Sequence, residues 1–133
     1  MNFPDTNIWI YGFLSDQDFR KHLISKEITS RDDVLVSQQV VAEVCNALIR
    51  KGKVPESRIR KIISEFKENY HLFALDTENY IEASLLRERY NFSHWDSLLI
   101  VAALELGATI FYSEDMQDGL VVNGALTIRN PFK

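Results

Sequence analysis

The chain has 133 residues, enough for one domain that buries about two-thirds of its extended surface, and with 46% hydrophobic and 26% charged residues it is neither disordered nor fibrous. Fifteen Lys and Arg face 19 Asp and Glu, a net charge of −4, which argues against a protein that holds nucleic acid by a general basic surface. A lone Cys45 cannot form an intrachain disulfide, and Met1 to Asp5 lacks the basic and apolar regions of a secretion signal. The longest apolar run, Leu98 to Leu104, is too short for a bilayer, so the expectation is a cytoplasmic protein comprising one domain over residues 1–133.

Along the chain, short apolar runs alternate with helical periodicity, and no repeat or linker interrupts them. Asn2-Phe3-Pro4 is a short first strand, and Pro4, lacking a ladder donor, implies an edge or irregular position. Trp9, Tyr11 and Phe13 read as core packing rather than a surface for stacked bases. Asp32 to Ser37 reads as a buried strand and Gln38 to Lys51 as a helix with an apolar stripe of Val40, Val41, Val44, Ala47 and Leu48, ended by Gly52. Cys45 lies beside that stripe as a small hydrophobe.

Pro55 to Tyr70 is a second striped helix, His71 to Leu75 a strand, and Thr77 the N-cap of a helix reaching Tyr90. Ser93 opens the most apolar helix, Trp95 to Leu106, which belongs in the core and is closed by Gly107. Ala108 to Tyr112 and Ala125 to Arg129 complete the strands. This alternation predicts an α/β fold with a mostly parallel sheet, whose ligands bind beyond the carboxyl ends of the strands.

Acids stand at or near those ends. Asp5 follows the first strand, Glu43 lies in the second turn of the helix after Ser37, Asp96 in the first turn of the apolar helix, and Asp115 just beyond Tyr112. Each also has an ordinary role: Asp5 as a helix cap, Asp96 as the third position of a capping box with Ser93, Glu43 as an exposed helical acid, and Asp115 and Asp118 as turn residues. Brought to one edge, four carboxylates raise one another's pKa unless a cation compensates. Oxygen ligands without clustered His or Cys favour Mg²⁺ or Mn²⁺, and such ions serve in-line attack on phosphodiesters.

Asp5-Thr6-Asn7-Ile8, Glu43 within Gln39 to Val44, Trp95-Asp96 before an apolar helix, and Ser113-Glu114-Asp115-Met116 together resemble the PIN-domain nucleases, above all the VapC-type toxin ribonucleases, over essentially the whole chain. The resemblance implies a three-layer α/β/α sandwich and a metal-dependent endoribonuclease. Its toxin would be inhibited by a cognate antitoxin, act as a homodimer, and leave 5′-phosphate and 3′-hydroxyl ends. It implies that Asp5, Glu43, Asp96 and Asp115 bind one or two Mg²⁺ or Mn²⁺ ions, with Asp118 as a supplementary ligand. Asn7 and Ser113 would orient the carboxylates.

Six cations between Arg50 and Lys61 are a solvated helix junction or a rim for RNA phosphates, with Arg50, Lys51 and Lys53 nearest the acids in sequence. His71 and His94 read as structural, and His22, in a mixed surface-like stretch, carries no signal. The alternative is a non-catalytic RNA- or protein-binding module on the same fold, which predicts missing acids. A phosphotransfer enzyme of the haloacid-dehalogenase kind would need a second Asp at position 7, where Asn7 stands.

Overall fold

The computed structural model describes residues 1–133. The elements run β1 (Asn2–Pro4), α1 (Thr6–Phe13), α2 (Phe19–Thr29), β2 (Val36–Ser37), α3 (Gln38–Arg50), α4 (Glu56–Asn69), β3 (Leu72–Phe73), α5 (Thr77–Tyr90), α6 (His94–Glu105), β4 (Ile110–Tyr112), β5 (Val121–Val122) and β6 (Leu126–Arg129). Strands β1, β4 and β6 pair in parallel, and β5 closes that sheet antiparallel to β6. Strands β2 and β3 form a separate parallel pair.

A single parallel bridge, Asn2 to Val34, joins the two, giving the spatial order β3-β2-β1-β4-β6-β5. Pro4 explains why the join is so short. The Asn2 N–H donates to the Asp33 carbonyl, and with a period of two the nitrogen of residue 4 faces the same side. Pro4 has no proton to give there, so the ladder stops after one bridge. On the other side the Asp5 N–H still reaches the Tyr112 carbonyl at 2.8 Å. Chain order reverses across β1, with β2 on one side and β4 on the other, so the carboxyl ends of β1 and β4 lie at the topological switch point.

Helix α1 packs against both α2 and α3, α3 against α4, and α5 against α6. Helix α3 buries Val40, Val41, Val44 and Leu48, the face its periodicity predicts. From Ser97 to Ala103 every residue of α6 is buried. Phe3 on β1 stacks on Phe111 of β4 at 5.4 Å, both fully buried, fixing the strands whose ends carry Asp5 and Asp115. Trp9 is core, edge-on to Phe66 and Tyr70, while Tyr11 and Phe13 are half-buried beside Phe132 and Phe66. Cys45 is half-buried against the same core. No helix is long and apolar enough to cross a membrane.

Three expectations are corrected. Helix α5 is capped by Asp76 rather than Thr77: its side chain accepts the Asn79 N–H while the Asn79 side chain returns to the Asp76 N–H. Trp95 is not core but 62% exposed at the start of α6. Strands β2 and β3 are each two residues long, because only Val36–Ser37 and Leu72–Phe73 pair with each other, while Val34 makes only the single bridge to Asn2.

Candidate metal centre

Asp5, Thr6, Asn7, Glu43, Asp96 and Asp115 line one cleft of about 290 Å³ together with Asn46, Arg50 and Lys51. Each acid arrives by a local structural logic. Asp5 ends β1 and caps α1, its Oδ1 accepting the Thr6 N–H at 2.7 Å. Glu43 sits on α3, six residues past its Ser37 cap, half-buried at the flank of the buried stripe beside Val40 and Ala47. Asp96 lies in the first turn of α6, its N–H donating to Ser93 Oγ at 3.1 Å. Asp115 follows β4 and is exposed. Asp5 thus caps α1 and lines the cleft at once, whereas Ser93 caps α6 through the Asp96 backbone N–H alone and no capping box forms.

A shell of neutral donors holds these carboxylates. Ser113 Oγ donates to the other oxygen of Asp5 at 3.1 Å, and Asn7 Nδ2 donates to Asp115 Oδ2 at 2.9 Å. Thr6 Oγ1 donates to Glu43 Oε1 at 2.5 Å, and Gln39 Nε2 donates to Glu43 Oε2 at 3.0 Å. Thr6 and Gln39 were not singled out from the sequence. Gln39 had a signal, standing one helical turn before Glu43, whereas the Thr6 contact spans 37 positions and exists only in the fold. Just behind the site, Glu114 accepts from Tyr11 Oη at 2.8 Å and from the Lys21 ammonium, tying the loop after β4 to α1 and α2.

Two candidates fall elsewhere. Asp118 does not line the cleft: Oδ1 accepts the Asn130 N–H at 2.8 Å and Oδ2 lies 3.8 Å from the Lys133 ammonium, so it organises the turn before β5. Lys53 lines a separate cavity with Phe13, Leu14, Leu48 and Arg58, while Arg50 and Lys51 stand on the acidic cleft itself.

The electrostatics are unfavourable for charge without compensation. Burial pushes the Asp5 carboxyl up to about 7 from the ordinary 3.8. The Thr6 N–H and the Ser113 hydroxyl oppose that rise, and the charges of Asp96 and Glu43 add to it. Asp96 is raised by burial and by Glu43 and Asp115, against the Ser93 hydroxyl. A divalent cation suits this donor set, which is entirely oxygen and carries more negative charge than its surroundings neutralise. No three His, Cys, Asp or Glu side chains are drawn tightly enough to enclose an ion by themselves.

Residues 3–117 match the PIN domain family. No curated protein matches the chain. Among solved structures, a toxin–antitoxin complex from Klebsiella pneumoniae is similar at 16% identity over 98% of each chain, with a TM-score of 0.71. VapC20 of Mycobacterium tuberculosis, a sarcin-ricin loop cleaving toxin, is 16% identical over 84% of this chain and 87% of that one, with a TM-score of 0.68. FitAcB from Neisseria gonorrhoeae is 14% identical over 99% of each, with a TM-score of 0.61. At these identities the likeness is one of fold.

Proposed function

The chain belongs to the PIN domain family, and from that premise we propose that it is a divalent-metal-dependent endoribonuclease, the toxin of a type II toxin–antitoxin pair. One observation carries the reading: four carboxylates from four separate stretches of chain share a cleft at the switch point of a parallel sheet, beside two cations. The likeness to a toxin–antitoxin complex supports a cognate antitoxin as partner. A single domain over residues 1–133, a homodimer and a cytoplasmic location belong to the same proposal.

Asp5, Glu43, Asp96 and Asp115 are the proposed metal ligands, for one or two Mg²⁺ or Mn²⁺ ions. When bound, such an ion supplies positive charge to a phosphodiester and makes water a competent nucleophile at neutral pH. The protein's own contribution is positioning. Ser113 and the Thr6 N–H fix both oxygens of Asp5, Thr6 and Gln39 fix Glu43, and Asn7 fixes Asp115. Arg50 and Lys51, at the rim of the same cleft, hold RNA phosphates against an otherwise repulsive acidic floor.

Cleavage of defined tRNA and rRNA substrates in Mn²⁺ or Mg²⁺, with a chelator control, tests this directly. Asp5→Asn and Asp96→Asn should each lower cleavage at least about 100-fold while far-UV circular dichroism stays native. Full activity in both variants, or cleavage unaffected by chelator, overturns the metal site. RNA binding without cleavage by the wild type favours the non-catalytic module instead.

A further inference from the structure

Trp95 is the large apolar side chain that the fold leaves outside beside the acids. The rest of its helix is buried from Ser97 to Ala103, yet its indole is 62% exposed. The His94 ring stands at 79° to the indole with centroids 4.7 Å apart, and the Trp95 backbone carbonyl accepts a hydrogen bond from Gln39 Nε2 at 3.2 Å. Trp95, Gln39, Ala42, Glu43 and Asn46 line an open cleft of about 300 Å³ that shares Glu43 and Asn46 with the acidic cleft.

On α3, Gln39, Glu43, Asn46 and Arg50 recur at helical spacing. They draw one polar line about 16 Å long from the indole, past the acids, to the cationic rim. Along that line stand the aromatic shelf with Gln39, then Glu43 at the acids, then Asn46, then Arg50 with Lys51. That order matches the base, backbone and next phosphates of one extended strand. A stacked duplex hides its base faces from such a shelf, whereas an unpaired base presents one.

Resting on the ribonuclease reading, we propose that Trp95 is a stacking platform for one unpaired RNA base adjoining the scissile phosphate. The substrate class is then RNA with a splayed base, in a loop or bulge, and the platform acts on binding rather than on the chemical step.

The test pairs Trp95→Ala and Trp95→Phe with oligoribonucleotides that are single-stranded, fully duplex, or single-stranded with one abasic position scanned past the cleavage site. Affinity is read by anisotropy in chelator and cleavage in Mn²⁺. Trp95→Ala should weaken single-strand binding about 5- to 150-fold, raise KM with little change in kcat, and leave duplex binding unchanged. Trp95→Phe should recover much of the loss, and one abasic position should cost the wild type as much as Trp95→Ala while costing that variant nothing more. Equal affinity of Trp95→Ala and wild type for the single strand overturns the platform and leaves the nuclease intact. Absence of cleavage by the wild type overturns the nuclease, while a Trp95-dependent, abasic-sensitive affinity would still uphold the platform. A loss of binding that sedimentation traces wholly to dissociation of a dimer overturns it as well.

Discussion

Asp5 carries two burdens on one side chain. It caps α1 and pins β1 to the loop after β4 through Ser113, and both roles need only hydrogen-bond acceptors and a compatible partner. Its charge is the costly part. Because burial holds the carboxyl at about 7 in the fold against 3.8 in an unfolded chain, the native state keeps a proton that the unfolded state has lost across that interval. Stability of the metal-free protein therefore falls as pH rises from about 4 to about 7 and levels off above, a loss of at most about 4 kcal/mol at 1.36 kcal/mol per pH unit. Asp5→Asn keeps the Thr6 contact and offers its amide to Ser113. It should match wild type at pH 4 and melt higher than wild type at pH 8 without metal. Added Mn²⁺ should raise the wild-type midpoint at pH 8 and leave the variant unmoved. Parallel pH profiles for the two proteins in chelator would refute the assignment of this cost to Asp5.

The turn between α3 and α4 separates what a glycine signals from what it does. Gly52 ends α3 as its sequence suggests, yet the positive φ of the turn belongs to Lys53. Gly52 is a point of close approach: a Cβ there would lie 2.9 Å from Leu14 Cδ2 and 3.1 Å from the Leu48 carbonyl oxygen. Gly52→Ala should destabilise by about 1–3 kcal/mol in denaturant titration, because Leu14 can swing but a helix carbonyl cannot. Unchanged stability would show that the turn yields freely.

The same division decides what was legible elsewhere. Helix α3 was readable because four buried apolar residues repeat along one face, and the acids at β1 and β4 were readable because they follow strands. Helix α2 lacks any stripe: Phe19 and Leu23 are exposed, and only Ser25 and Ile28 are buried. Periodicity gave Trp95 a core place because it adjoins seven buried residues, but at the first turn of a helix the neighbours do not specify the face. Asp118 shares its turn with Asp115, and only the fold distinguishes the one that faces the cleft from the one that caps Asn130.

At the scale of the whole molecule, the net charge of −4 divides evenly. Four acids line the cleft with Arg50 and Lys51, which leaves the cleft at −2, and the other 15 acids face 13 cations, which leaves the body at −2 as well. A slightly acidic body offers RNA little general attraction, and affinity should depend on few phosphate contacts. Arg50 and Lys51 line the cleft, whereas Arg58, Arg60 and Lys61 stand exposed on α4. Each single-strand phosphate contact contributes a slope of about 0.7 in log affinity against log salt. Arg50→Ala and Lys51→Ala should each shallow the measured slope by about that amount, on an Asp96→Asn background that blocks cleavage. Arg58→Ala with Arg60→Ala and Lys61→Ala should leave the slope where it was. A steep slope that depends on the α4 cations instead would move the RNA track off the α3 line and onto the opposite helix, and with it the cationic end of the path that begins at Trp95.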